Sequence, residues 1–501
     1  MSSRIQNYAD PVFLLALLGV VIGIGTVIAR YGKPIAEGSD ASGYIHNSKL
    51  IMEGRLYSDV RPIGDLPVES VNREVYQPLG FLVEHDAKRL KPTYPFGVSI
   101  FFAAFQLISD NTIGILLALI FIGCSTPIGV YLLSRQLGLE RNWSTLAACI
   151  LGLSPLFLYR SMLAASDALS ACLSVFCVTL ALVAHRRSYF AAMLGICFSL
   201  ALFTRLPNAM IALPVGVALL YRIRQQAWWW VIILSALPGI ALLLWINNEL
   251  YGSPLASGYG NVWRLFKAEY FGMTMRHFAY WLTALHTPVV TLGFLASLLL
   301  LRKHPIPLGI LWIWSGSFIL FYAFYYHSHE TWWYLRFILP AVPALVIGAV
   351  FSLRAVSNYM GQSTRLAWLP TALCAGLALY INFSEMAAYK GKIYFSDRAQ
   401  NSYLVLNRWM EENAQPEDVF LSMQTSGAIY YYTNHAIIRY DLLRDGDWDT
   451  IRNYMKGYEG NLYAAVFPFE IEKKEVFSKH APGEWVDLEK FGHMSVLRLE
   501  P

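Results

Sequence analysis

Charge is scarce in this chain. Only 15% of its 501 residues are Asp, Glu, Lys or Arg, against roughly 25% in a soluble globular protein. With 56% apolar residues and a mean hydropathy of +0.41, lipid is the expected solvent for much of the chain. The net charge of +5 is small and scattered, so nucleic acid is excluded as a partner. Cysteine is also sparse. Cys124, Cys149, Cys172, Cys177, Cys197 and Cys374 each fall inside an apolar run. They form no CxxC pair and no Cys/His ligand spacing, and read as small core residues. The hydrophilic stretches carry no cysteine and depend on no disulfide. No phosphate loop, dinucleotide glycine fingerprint, H-E-x-x-H or G-x-S-x-G occurs, which removes nucleotide-driven transport and serine hydrolysis.

What is present is a series of apolar runs. A spanning helix needs roughly 20 mainly apolar residues. Candidate spans are 11–29, 112–133, 143–158, 168–184, 189–203, 207–221, 228–246, 281–301, 306–326, 335–353 and 366–382. The first is read as a retained helix, because no small-residue cleavage motif follows it. Alternate short loops carry Arg135 and Arg141, Arg186 and Arg187, Arg222 and Arg224, Arg302 and Lys303, and Arg354 and Arg365. Glu140 is the one acid among them. Basic loops stay cytoplasmic, so the N-terminus is expected inside and the C-terminus outside. Residues 94–108 are apolar but short, with Pro95 and Gly97 near their start. Counting them as a span would invert every later loop, so they are expected as an interfacial or re-entrant helix on the outer side.

The hydrophilic regions 30–93, 247–280 and 383–501 then face outward. The tail reads as a small α/β domain, with helices at 401–413 and 447–458 and strands at 418–423, 436–440 and 461–468. The expected fold is an α-helical polytopic membrane protein of about 11 transmembrane helices. Its membrane module would be 1–385, including the outer loop 30–111, and its extracytoplasmic domain 386–501.

Charged residues gather at the outer ends of the spans. Asp40 follows the first span, and with Gly43, Tyr44 and Asn47 it shares one face at helical spacing. Ile45, Met52 and Leu56 lie on another face, as in an amphipathic helix resting on a membrane surface. Arg160 and Asp167 flank a short outer turn, where an ionisable residue needs a partner or a function. Lys91, Arg205 and Arg336 sit at or near span ends, at the depth of a lipid phosphate. His327, His329 and Glu330 form a weak metal pattern without further ligands at fixed spacing; a divalent metal has no clear ligand set.

These segments, in this order, resemble the GT-C superfamily of membrane glycosyltransferases, above all its branch of protein O-mannosyltransferases and lipid A aminoarabinose transferases. The resemblance rests on SDASGYIHNSKLIMEGRLYSD, KPTYPFG, LSPLFLYRSMLAASDAL, FTRLPNAMIALP and YLRFILPAVPAL, and covers nearly the whole chain. It implies a polyprenyl-phosphate sugar donor used on the outer face. Asp40 matches the catalytic acid and Asp167 the acid of the second outer loop. Lys91 matches a donor-phosphate position, and Arg336 the basic residue of a late motif. Arg205 joins the donor-phosphate set, and Tyr44, Tyr94, Arg160 and Asp167 the substrate set. Many members carry Asp-Glu where this chain has Asp40-Ala41, which puts in doubt any role needing a second carboxylate.

The chemistry agrees with that expectation. Displacing phosphate from an anomeric carbon needs a base for the acceptor proton and cations for the charge on the leaving phosphate. No nucleotide site is required. The expected partners are the lipid-linked donor, a lipid, glycan or protein acceptor, and membrane lipids. The expected location is the bacterial cytoplasmic membrane. The rival reading is a transporter or flippase of lipid-linked sugars. It predicts inverted repeats and broken midplane helices, neither of which the sequence displays.

Overall fold

The computed structural model describes residues 2–86, 88–225, 227–361, 369–394, 397–472 and 477–500. Arg365, one of the loop arginines, lies outside them. Its contacts divide the chain into two compact units. The first is Met1–Lys33, Leu116–Trp245 and Asn261–Ile393; the second is Pro34–Ile115, Ile246–Gly260 and Tyr394–Pro501.

The first unit is helical. Among the described residues, six helices that run in it, two of them reaching into the second unit, are long and apolar enough to cross a membrane: Val12–Tyr31, Asn111–Gln136, Ser166–Val183, Trp229–Tyr251, Pro305–Ala323 and Trp332–Gly361. Arg141–Gly152 and Pro155–Ser161 make a seventh if counted together, although they bend by 64°. Pro155 supplies the bend, since it has no N–H to give the preceding turn. The chain is thus a multi-pass membrane protein with six or seven full-length span candidates. The other four expected spans fall on shorter apolar helices, Ser188–Thr204, Leu206–Tyr221, Thr287–Leu300 and Thr371–Ile381, so length alone does not carry the count of eleven. One reason is local. Thr287 stands at φ 71 inside the helix Phe271–Ala296 and Pro288 follows it. A β-branched residue rarely adopts that conformation, and the helix is broken there. A broken apolar helix, invisible in the sequence, is therefore present.

Apolar helices pair through small residues, which let backbones approach. Ser166–Val183 packs along Ser188–Thr204, joined by the four-residue turn 184–187. A turn that short makes the two helices antiparallel, and their near-equal lengths bring the start of one beside the end of the other.

The second unit contains both sheets among the described residues. Strands β1 (Ser58–Asp59), β2 (Phe81–Val83) and β3 (Arg89–Pro92) form a small antiparallel sheet ordered β1-β3-β2. Strands β4 (Val419–Leu421), β5 (Ala436–Ile438), β6 (Leu462–Val466), β7 (Trp485–Phe491) and β8 (Met494–Leu499) form a sheet ordered β5-β4-β6-β8-β7. β4 runs parallel to β5 and β6, and β8 antiparallel to β6 and β7. The helices Asp397–Asn413 and Asp447–Met455 and strands β4, β5 and β6 fall where the spacing puts them; the β7–β8 hairpin does not show in the sequence.

Side chains on a strand alternate between faces, and this sheet has a core on each. Val419, Leu421, Ala464, Val466 and Leu497 share one core with Ile63, Leu66, Val71, Val75 and Tyr76. Phe420, Tyr463, Ala465 and Val496 share the other with Leu50, Phe81 and Leu90, under Tyr403, Leu406 and Met410 of the helix Asp397–Asn413. The segment after the first span and the C-terminal tail are thus parts of one folded body.

Candidate functional site

Within the second unit, Asp40 opens the helix Asp40–Met52. This helix does not rest on a membrane surface. Ala41 through Ser48 and Leu50 are all buried, because the helix is enclosed by the helices Gly97–Gln106 and Ser426–Tyr432. Ser99 Oγ donates to the Tyr44 carbonyl at 2.8 Å. The helix Gly97–Gln106 is the expected short apolar element, and it ends in the exposed Leu107 and Ile108.

The face of Asp40, Gly43, Tyr44 and Asn47 is the seat of Tyr94. The Tyr94 phenol lies 2.6 Å from Ser39 Oγ. Asn47 Nδ2 donates to the Tyr94 carbonyl at 3.3 Å, and the Tyr44 ring lies 5.0 Å from the Tyr94 ring. A Cβ on Gly43 would stand 2.5 Å from the Tyr94 ring, so only glycine fits. Burial first, then the Asp40 charge, pushes the Tyr94 phenol well above its ordinary range, so it stays protonated. Lys91 lies on β3, its Nζ 5.8 Å from the centre of the Tyr251 ring.

The tail holds this segment. The Ala36 N–H donates to Tyr432 OH at 3.0 Å, and a Cβ on Gly38 would stand 3.1 Å from Gln424 Nε2. Gly427 is so close that a Cβ there would lie 2.7 Å from Ser42 Cβ and from the Leu79 carbonyl oxygen. Further along the helix, His46 is packed against Phe81, Tyr430 and Tyr431. Burial, then Lys49, Arg61 and Arg55, lowers its pKa to about 3, and it is neutral at physiological pH. Sequence reasoning missed Ser39 and Tyr432. Their partners are 55 and 396 residues distant in sequence, and no local pattern marks them.

Within the first unit, Arg160 and Asp167 are buried, and Arg205 and Arg336 are half-buried against aromatic rings. Asp167 lies in the first turn of the helix Ser166–Val183, and Arg205 just past the end of Ser188–Thr204. The antiparallel pairing brings them together. Arg205 Nη1 donates to Asp167 Oδ1 at 2.5 Å, and Arg160 Nη1 is 3.8 Å from Asp167 Oδ2. Arg160 also donates through Nη2 to the Trp333 carbonyl. Arg205 leaves the helix in extended backbone (φ −159). The Arg205 and Arg336 guanidinium carbons lie 5.6 and 5.3 Å from the centre of the Phe337 ring. Tyr322 and Tyr334 stack on that ring. Three guanidinium groups and one carboxylate thus share this part of the unit. Such a set can hold an anion, because arginine presents paired N–H donors to phosphate oxygens.

His327 Nδ1 and Glu330 Oε2 pair at 3.0 Å. No group of three or more His, Cys, Asp and Glu able to hold a metal occurs among the described residues.

No family model and no curated protein matches the sequence. Solved structures do match in three dimensions. ArnT from Cupriavidus metallidurans superposes in the apo state with a TM-score of 0.63 at 12% identity, over 98% of both chains. The same protein bound to undecaprenyl phosphate gives 0.61 at 12% identity, over 97% of both chains. The Archaeoglobus fulgidus oligosaccharyltransferase AglB, in complex with an inhibitory peptide and a dolichol-phosphate, gives 0.57 at 12% identity, over 96% of this chain and 74% of that one. The mycobacterial arabinofuranosyltransferase AftD gives 0.55 at 14% identity, over 97% of this chain and 40% of that one. Across these matches the chain shares the fold of the GT-C membrane glycosyltransferases.

Proposed function

We propose that the chain is a glycosyltransferase that moves a sugar from a polyprenyl-phosphate donor to a lipid, glycan or protein acceptor on the outer face of a bacterial cytoplasmic membrane. The observation that carries the reading is the near-complete superposition on ArnT, one of whose structures holds undecaprenyl phosphate.

In this reading Asp40 takes the proton from the acceptor as the acceptor atom bonds the anomeric carbon. The bond from that carbon to the phosphate oxygen breaks, and its electron pair stays on the phosphate. Arg205, Arg336 and Lys91 hold that phosphate, where fixed cations are worth most as charge develops. Arg160 and Asp167 contact the substrate and orient the guanidinium groups, and Tyr44 and Tyr94 line the sugar end. The membrane module, residues 1–385, supplies the donor chemistry, and the region 386–501 faces outward.

Mass spectrometry of membrane glycolipids and glycoproteins from cells with and without the chain tests the function. One sugar-bearing species should vanish with its loss, while its polyprenyl-phosphate sugar accumulates. Unchanged profiles in both fractions refute the reading. Orientation is tested by an impermeant thiol reagent on cysteines placed at Ser58 and at Ser478, both of which should label in intact spheroplasts.

A further inference from the structure

On the reading that the chain takes a sugar from a polyprenyl phosphate, we infer that Tyr259 is the platform on which the donor sugar stacks, a specificity-determining residue held in place by the loop that follows the helix Trp229–Tyr251.

That loop belongs to the second unit, as part of Ile246–Gly260. It has little regular structure but is firmly tied. Asn247, 7% exposed, donates through Nδ2 to the Pro254 carbonyl at 3.1 Å and closes the turn. Tyr57 OH donates to the Glu249 carbonyl at 2.9 Å. Tyr251 OH donates to the Pro92 carbonyl at 2.7 Å. At the far end, a Cβ on Gly258 would stand 2.3 Å from the Thr93 carbonyl oxygen, so only glycine lets the loop lie against the chain there. Both ends of the loop are therefore fixed to residues 92 and 93, which stand between Lys91 and Tyr94.

The ties set two rings in place. Tyr251 lies beside Lys91, whose Nζ is 5.8 Å from the ring centre. Tyr259 meets Tyr94 edge-on, with ring centres 5.8 Å apart and planes at 72°. Tyr94 is 8% exposed and Tyr44, packed against it, 2%. Tyr259 is 46% exposed. Of these three rings it is the one with surface to offer a ligand. An exposed tyrosine near the end of a spanning helix is ordinarily an interfacial anchor. An anchor needs only the right depth, whereas Tyr259 is set at one angle to Tyr94 by a loop tied at both ends.

The chemistry suits a sugar. One face of a sugar ring is lined by C–H groups of partial positive charge, and the face of an aromatic ring is negative. A side chain already ordered gives up little freedom on binding. With Lys91 on the phosphate and Tyr259 on the sugar, the loop steadies the donor head at both ends. Sugars with an unbroken C–H face fit this platform, and an axial hydroxyl on that face holds the two rings apart.

The experiment uses the full chain reconstituted in lipid and two binding probes. One is undecaprenyl phosphate; the other is the polyprenyl-phosphate sugar extracted from membranes lacking the chain, where unused donor collects. Tyr259→Ala should weaken binding of the sugar-bearing probe about three- to tenfold, the range of an aromatic contact, and leave undecaprenyl phosphate unchanged. Tyr259→Trp keeps a flat ring and should stay within about twofold of the unsubstituted chain for both probes. Equal weakening of both probes in Tyr259→Ala overturns the inference and makes the ring a support for the Lys91 end. Unchanged binding of both overturns it as well and leaves an interfacial anchor. Should Tyr259→Ala fold poorly, Tyr259→Leu decides: it keeps apolar bulk without a flat face, and should lose affinity for the sugar-bearing probe alone. If the unsubstituted chain binds neither probe, the functional reading itself falls, and the inference with it.

Discussion

Replacing Asp167 by Asn keeps its shape and removes its charge. In the folded chain its side chain is 2% exposed and is met by Arg205 at 2.5 Å and Arg160 at 3.8 Å, themselves 13% and 5% exposed. The substitution leaves both guanidinium groups buried without their carboxylate. Breaking a buried pair in this way costs about 3–5 kcal/mol, most of it from the stranded charge. If that accounts for the loss, removing a stranded charge should restore stability, so Asp167→Asn with Arg205→Gln should be more stable than Asp167→Asn alone. The molecule provides its own reporter. Cys172, Cys177 and Cys197 are buried in the two helices that the pair joins. A thiol-reactive fluorophore added during a thermal ramp reads the opening of that helix pair. Labelling should begin at lower temperature in Asp167→Asn and move back in the double variant. An unshifted labelling curve accompanied by lost transfer would refute the argument and make Asp167 purely a substrate contact.

Other substitutions separate the remaining roles. Asp40→Asn should lower the transfer rate roughly 10²-fold or more with an unchanged thermal midpoint; near-normal turnover removes Asp40 from the chemistry. Lys91→Ala and Arg336→Ala should each weaken polyprenyl-phosphate binding by about 1.5–3 kcal/mol, the worth of a charge-assisted hydrogen bond, with a smaller effect on the acceptor; unaltered donor affinity in both counts against the assignment. His46 predicts a pH dependence of stability. Its pKa is about 3 in the fold against an ordinary 6.5, so the unfolded chain takes up a proton that the folded chain refuses. Stability should therefore fall by about 1.4 kcal/mol per pH unit as pH drops from 6.5 toward 3. His46→Phe should flatten that slope, and parallel slopes in the two proteins would show that other groups set it.

The charged residues of both units were legible because membrane proteins concentrate them at few places. Asp167 beside Arg205 was within reach of the sequence too: two apolar runs of 18 and 17 residues joined by four must fold back, and the first turn of one then meets the last of the other. What hid the pairing was reading each residue singly, as a cap or a snorkelling cation. The helix at Asp40 was legible as a helix, but its burial was not. Its apolar positions suggested one wet face, whereas Ser42, His46, Asn47 and Ser48 are buried as well. The contacts that bury His46 are distant in sequence: Ser58 Oγ at 3.4 Å and the Tyr430 ring stacked on it lie 12 and 384 positions beyond it. The break at Thr287 escaped for another reason. Pro288 announces a kink, but proline is tolerated in spanning helices, and only the backbone angles reveal the break.

The long separation between Asp40 and the tail has a physical consequence of its own. Both cores of the five-stranded sheet need side chains from the segment after the first span, and the Asp40 segment needs tail residues to hold it. Its Ala36 N–H finds its acceptor 396 residues later, and the Ser42 flank is closed by Gly427. Closing a longer loop costs only slowly more entropy, so such contacts are affordable in the finished chain. Nonlocal pairing nonetheless waits for the distant partner. The Asp40 helix can dock on Gly97–Gln106 early, through Ser99 and Tyr94. It cannot be enclosed until the helix Ser426–Tyr432 exists. Local contacts therefore seat the helix that Asp40 opens, and the tail encloses it.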